Sequence, residues 1–134
     1  MLLKHMKFEV EVAFSGHEGI EVARQSSPEV VLCDIGLPGL DGYDVARALR
    51  TDHATRDAFL IAQSGYGQAE DVRKAYEAGF NVHLIKPVDF QELQRILRSN
   101  RRLDVMQSRH RACELGTSKT MPAASECGYA DINP

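Results

Sequence analysis

The stretch VVLCDIGLPGLDGYDV, residues 30–45, decides the predicted fold. Its apolar run ends in a carboxylate, Asp34, and a turn rich in glycine and proline follows. A nearly continuous apolar run is typical of a strand buried on both faces of a parallel sheet. After the turn, Asp41 is a candidate N-cap, and Val45 and Leu49 lie one helical turn apart. The stretch therefore predicts a buried strand, a turn and a helix, with an acid at the carboxyl end of the strand.

The rest of the chain repeats this alternation. Helical patterns of 10–15 residues at 15–25, 41–50, 68–80 and 89–100 separate the strands, which indicates βαβ units and a doubly wound α/β fold with a parallel sheet. Ser15 and Asp89 are further candidate N-caps. The third pattern places Val72, Ala75 and Tyr76 on one face, and the fourth carries an apolar stripe of Phe90, Leu93, Ile96 and Leu97. The pattern ends near residue 104, so we expect one domain over 1–103 and a flexible tail over 104–134. The other predicted strands are FEVEVAF (8–14), FLIAQS (59–64) and NVHLIK (81–86).

Composition narrows the class of protein. The apolar fraction of 43% and the net charge of −3 are those of an ordinary globular protein, which argues against general nucleic-acid or membrane binding. No apolar run approaches the roughly 20 residues that span a bilayer. Six arginines and one acid between 95 and 111 form either a solvated helix end or a contact for nucleic acid or a partner. Cys33, Cys113 and Cys127 lack metal-ligand spacing, which favours free thiols in a reducing cytoplasm.

Chemically useful side chains stand at three predicted strand ends. Asp34 is followed by Gly36, Ser64 by Gly65, and Lys86 ends the last strand. In doubly wound sheets, ligands bind outside the carboxyl ends of the strands. An acid, a hydroxyl and an amine can therefore meet at one point, although each of them alone is commonly a cap, a turn former or a solvated residue.

In this combination the chain resembles the receiver domain of response regulators. Its segments VVLCDIGLPGLDGYDV, LIAQSGYG and HLIKPVD are similar to the third, fourth and fifth strands of that family and the loops that follow them. The residues of these segments most resemble those of receivers attached to hybrid sensor kinases or chemotaxis-like proteins. The resemblance covers residues 1 to about 100 and implies a flavodoxin-like sheet of order 2-1-3-4-5.

The resemblance also implies roles for these residues. Asp34 would accept a phosphoryl group from a phosphohistidine, carried by a histidine kinase or a phosphotransfer protein. Lys86 would neutralise part of the added charge, and Ser64 would donate a hydrogen bond to the phosphoryl group and move its loop. Gly65 would leave the site open. His83 stands where the family often has an aromatic residue that turns inward on activation; it either takes that role or is a half-exposed strand residue.

The start of the chain departs from the family pattern. A receiver begins with a buried strand that ends in two acids, and these hold Mg²⁺ together with the phosphoacceptor. Here the sequence begins with what resembles the end of the first helix, so we expect an N-terminally truncated receiver. Asp34 and the carbonyl of Gly36 would be the remaining ligands. Mg²⁺ demands near-octahedral oxygen coordination, so we expect weak or absent binding and impaired phosphorylation.

The missing strand would also affect the sheet. The strand at 8–14 would either pair directly with 29–35 or leave a gap, and an exposed edge favours self-association. A degenerate receiver that acts only through protein contacts, or a non-functional fragment, is the alternative function. An enzyme with an aspartyl nucleophile is disfavoured, because Gly36 occupies the position of the second acid that such a phosphatase needs.

Overall fold

A computed structural model describes residues 8–36, 39–65, 69–99 and 110–116. Within these ranges, five strands and four helices alternate as a doubly wound α/β domain. The four strands and four helices expected from the sequence are confirmed, with boundaries that differ by one or two residues. The elements are β1 (Phe8–Ala13), α1 (Gly16–Ser26), β2 (Val30–Asp34), α2 (Gly42–Thr51), β3 (Phe59–Ser64), α3 (Ala69–Ala78), β4 (Val82–Ile85), α4 (Phe90–Arg98) and β5 (His110–Leu115).

The fifth strand lies in the interior of the sheet. The strand order is β1-β5-β2-β3-β4, and every pair is parallel. Val10 and Val30 both pair with Ala112, from opposite sides of β5. The expected tail over 104–134 was therefore wrong for His110–Leu115, and the expected gap or direct pairing between β1 and β2 was wrong as well.

The physical reason lies in what β5 buries. Ala112, Cys113 and Leu115 are almost completely shielded from solvent. The segment HRACEL has little strand character of its own, because one histidine, one arginine and one glutamate interrupt its apolar residues. Its position between two strands supplies backbone partners on both sides, and this tertiary gain outweighs a weak local propensity.

Two apolar clusters cover the two faces of the sheet. One contains Val31, Cys33 and Leu115 with residues of α1, α2 and α3, and the other contains Leu32, Ile61 and residues of α4. The apolar stripe expected in α4 is confirmed, because Leu93 and Leu97 are buried and Phe90 and Ile96 pack against them. In α3 the expected apolar face is only partly buried, since the Tyr76 side chain is 50% exposed.

The predicted helix starts are borne out by side-chain hydrogen bonds. The Ser15 hydroxyl accepts from the Glu18 amide at 3.2 Å, and the Asp41 carboxylate accepts from the Asp44 amide at 2.9 Å. Asp89 caps α4 by accepting from the Gln91 amide. These caps fix where each helix begins after its strand, and so they position the loops at the carboxyl end of the sheet.

Candidate functional site

The acid, the hydroxyl and the amine lie at the carboxyl ends of three neighbouring strands. Asp34 ends β2 and Ser64 ends β3, while Lys86 directly follows β4. Two backbone hydrogen bonds hold these ends level: the Ile35 amide donates to the Gln63 carbonyl at 2.9 Å, and the Lys86 amide donates to the Ser64 carbonyl at 2.8 Å. The sheet itself therefore brings the predicted residues to one edge.

The Asp34 carboxylate is the most enclosed charge at this edge. The residue is 3% exposed. Its Oδ1 accepts a hydrogen bond from the Gly36 amide at 2.9 Å, and its Oδ2 pairs with Lys86 Nζ. A buried carboxylate is costly unless it is paired and hydrogen-bonded, and these two contacts satisfy that requirement.

Lys86 is the more exposed partner of this pair. Its side chain is 28% exposed, against 5% for the Asp34 side chain. A compact cation on a flexible stem can stay beside the carboxylate when the charge there changes.

Ser64 makes a contact that the sequence alone did not indicate. Its hydroxyl lies 3.0 Å from Nε2 of His83, which stands in the middle of β4. Burial lowers the pKa of His83, and the nearby Asp71 carboxylate opposes this by raising it. The net lowering favours a neutral imidazole at neutral pH. His83 is therefore half-buried and hydrogen-bonded to the predicted switch residue.

The two glycines beside the site leave room around it. A methyl group added at Gly36 would meet only Asp34 Oδ1, at 3.7 Å, and one added at Gly65 would meet no atom within 4 Å. Both residues are exposed. A side chain at either position would therefore meet little of the described part of the protein.

The turn after β2 is held by close backbone contact. The Gly42 amide donates to the Ile35 carbonyl at 2.9 Å, and a Cβ at Gly42 would lie 2.7 Å from the Cα of Ile35. Only glycine permits this approach without a shift of the backbone. Because this contact joins the first residue of α2 to the residue after Asp34, α2 starts directly beside the Asp34 site.

The Mg²⁺ ligands predicted from the sequence, the Asp34 carboxylate and the Gly36 carbonyl, belong to neighbouring residues at this edge of the sheet. Within 8–36, 39–65, 69–99 and 110–116, no cluster of three or more histidine, cysteine or acidic side chains could hold a metal. Asp34 is the carboxylate at the strand ends, and both of its oxygens already have partners. Mg²⁺ prefers near-octahedral oxygen coordination, and here it would have to compete with these two partners for the Asp34 oxygens.

One acid near the site was missed by the sequence reasoning. Glu114 pairs in register with Leu32 and is half-buried. Paired residues of parallel strands point to the same face, and Asp34 lies on the Leu32 face because it is two residues further on. No sequence signal marked Glu114, since the segment that carries it was assigned to a tail.

The fold and these strand-end residues together define a receiver-like α/β domain. The chain belongs to the response regulator receiver domain family, whose family model matches residues 1–98. The strand β5 lies outside the matched range. Protein PilH of Pseudomonas aeruginosa is 38% identical over 93 residues, which cover 69% of this chain and 76% of that protein.

Solved receiver structures agree with this assignment. The receiver domain of sensor histidine kinase PA1611 from Pseudomonas aeruginosa, which carries a magnesium ion in its active-site cleft, is 31% identical, with a TM-score of 0.66 over 72% of this chain and 80% of that one. A CheY-like receiver from Methanospirillum hungatei is 25% identical, with a TM-score of 0.65 over 77% of this chain and 79% of that one.

Other relatives are much longer than this chain. It spans 36% of the transcriptional regulator RpaA from Synechocystis, to which it is 33% identical, and 18% of response regulator PleD from Caulobacter vibrioides, to which it is 30% identical.

Among the described residues, no helix combines the length and the apolar character needed to cross a bilayer.

Proposed function

We propose that Asp34 is the phosphoacceptor of a two-component phosphorelay and takes a phosphoryl group from a phosphohistidine of a kinase or phosphotransfer protein. The observation that carries the proposal is the contact between the Asp34 carboxylate and Lys86 Nζ at the carboxyl edge of the sheet. An ionised carboxylate is the nucleophile that this chemistry needs, and a fixed cation beside it suits the charge of the product.

The proposed reaction places one oxygen of Asp34 on phosphorus. The new O–P bond forms while the P–N bond of the phosphohistidine breaks, and the product is an acyl phosphate. Lys86 stays beside the group as a counter-charge. The Ser64 hydroxyl, on the adjacent strand end, donates to a phosphoryl oxygen and draws its loop toward Asp34.

We further propose that the reaction is impaired and that Mg²⁺ binds weakly. The support is the Asp34 carboxylate, whose two oxygens already accept from Gly36 and Lys86. Phosphoryl transfer depends mainly on positioning and on charge stabilisation, so a weak metal site lowers the rate. Calorimetric titration with Mg²⁺ tests this directly, and submillimolar affinity would contradict it.

Phosphorylation itself is tested with a small phosphodonor. The chain, its Asp34→Asn variant and its Asp44→Asn variant are incubated with acetyl phosphate and Mg²⁺, and intact mass is followed over time. Asp44 is a matched control because its carboxylate lies in the first turn of α2 and pairs with Arg47. We expect slow addition of one phosphoryl group to the parent chain and the Asp44→Asn variant, and none to Asp34→Asn.

Two results would overturn parts of this proposal. Rapid stoichiometric labelling would refute the impairment. Equal labelling of the Asp34→Asn variant would refute the assignment of the acceptor. Complete absence of labelling favours the second candidate, a receiver that acts through protein contacts alone, which the existing partners of both Asp34 oxygens also support.

A further inference from the structure

The hydrogen bond between Ser64 and His83 links the proposed phosphoryl site to a titratable ring. Ser64 is 8% exposed and lies in β3, and His83 lies in the neighbouring β4. In the strand register His83 is opposite Ala62, so its ring reaches along the sheet by two residues to place Nε2 3.0 Å from the Ser64 hydroxyl oxygen. The ring therefore lies against the hydroxyl from the side of β4.

The chemistry of the two groups allows two arrangements. A serine hydroxyl has one proton to donate, and a neutral imidazole has one N–H and one acceptor nitrogen. Either the hydroxyl donates to Nε2, or Nε2 carries the proton and donates to the hydroxyl. A protonated imidazole has no acceptor, so in that state only the second arrangement remains.

The surroundings of the ring favour the neutral form. The His83 side of β4 faces α3, which carries Asp71, and the hydroxyl of Ser64 comes from β3. Lys86 on the same strand is paired with Asp34 of β2 at the sheet edge. Burial lowers the pKa of His83 more than the Asp71 carboxylate raises it.

We propose that neutral His83 accepts the hydroxyl proton of Ser64, and that protonation of the ring turns this hydroxyl toward the Asp34 site. The proton comes from solvent and is bound by Nε2, which then donates to the Ser64 oxygen. The serine keeps its own proton, which becomes available to an oxygen acceptor at the strand end. His83 is thus a positioning residue that makes the site sensitive to pH.

The consequence for phosphoryl transfer rests on the proposed function of Asp34, whereas the direction of the hydrogen bond does not. At a pH above the midpoint of His83, the hydroxyl is held by the ring and donates less to a phosphoryl oxygen on Asp34. Below that midpoint it is released. Two measurements test the direction of the hydrogen bond and its effect on phosphoryl transfer separately.

The direction of the bond is tested by NMR titration of the ¹⁵N-labelled chain and its Ser64→Ala variant. We expect an unprotonated Nε2 at neutral pH. In this scheme the hydroxyl bonds the ring in both protonation states, so the readout is the tautomer of the neutral ring and not its midpoint. Loss of the hydroxyl in the Ser64→Ala variant should raise the fraction of neutral rings that carry the proton on Nε2. The ring signals of the exposed residues His17 and His53 serve as internal references in both proteins. The His83→Gln spectrum assigns the signal.

The opposite results would overturn the proposal. If Nε2 carries the proton in the neutral ring of the parent chain, it already donates to Ser64, and ring protonation cannot turn the hydroxyl. An unchanged tautomer in the Ser64→Ala variant would likewise contradict the bond. Dispersed amide spectra of both proteins show that each is folded before the tautomers are compared.

The consequence is tested by the pH profile of acetyl phosphate labelling. We expect the rate of the parent chain, divided by that of the His83→Phe variant, to rise by roughly 2- to 10-fold as pH falls through the His83 midpoint. The His83→Gln variant replaces it if the phenylalanine variant does not fold. A ratio of labelling rates that does not change with pH would overturn the coupling between His83 protonation and phosphoryl transfer. If no protein is labelled at any pH, the proposed function fails, and the NMR titration still decides the direction of the bond.

Discussion

Replacement of Gly19 by alanine tests whether β5 packs against α1 as the structure describes. A Cβ added at Gly19 would lie 2.0 Å from Cδ2 and 2.5 Å from Cγ of Leu115. Leu115 is 1% exposed, so its side chain has little room to move aside. The outcome depends on two opposing effects: the gain in helix propensity and the loss from overpacking.

The magnitudes give the expected sign. Alanine is favoured over glycine inside a helix by about 1 kcal/mol, while overpacking of a core costs about 1–3 kcal/mol. We therefore expect Gly19→Ala to destabilise by up to about 2 kcal/mol. Leu115→Ala, which removes a buried side chain, is expected to cost about 2–5 kcal/mol. Together the two changes relieve the clash, so the double variant shows a favourable coupling of about 1–3 kcal/mol.

Urea unfolding followed by far-ultraviolet circular dichroism measures these differences for the parent, both single variants and the double variant. Gly116→Ala is the control, because a Cβ there would meet no atom within 4 Å, and it should be close to neutral. If residues 110–115 were outside the sheet, Leu115→Ala would be neutral and Gly19→Ala would stabilise by about 1 kcal/mol. That pattern would refute the position of β5.

Three further predictions concern other parts of the molecule. Arg50 donates to the carbonyls of Arg56, Ala58 and Gly79 and to the Asn81 side chain. Both Arg50→Ala and Arg50→Lys should therefore lower the free energy of unfolding by about 1–3 kcal/mol, since an ammonium group cannot span these acceptors. Equal stability of the parent and the lysine variant would contradict this. Lys86→Met should lower the free energy of unfolding by about 3–5 kcal/mol, because it leaves a buried carboxylate without its cation. Asp34→Asn in the same chain should recover much of that loss. A double variant no more stable than Lys86→Met would argue against the ion pair. Burial raises the pKa of the Cys113 thiol to about 12 and that of Cys33 still further. In a Cys127→Ser background neither thiol should therefore react with a disulfide reagent at pH 8 until denaturant is added. Rapid labelling of Cys113 in the folded protein would show that β5 is accessible.

The local sequence determined most of the sheet and helix pattern. Apolar runs that end in Asp34 and Ser64 specify buried parallel strands, since only such strands are apolar on both faces. Candidate caps such as Asp41 and Asp89 mark helix starts because their side chains can accept from free amides of the first turn. The order of strand ends along the chain was sufficient to predict that an acid, a hydroxyl and an amine share one edge.

The tertiary structure alone decided the position of β5 and the partner of Ser64. His110–Leu115 has a weak strand pattern, and its hydrogen-bond partners on β1 and β2 are about a hundred and about eighty residues away in sequence, so no local signal could identify it. The contact between Ser64 and His83 depends on a diagonal reach across two strands, which the alternation of side chains does not specify. Both features arise from non-local pairing, where burial and backbone satisfaction outweigh the preferences of short segments.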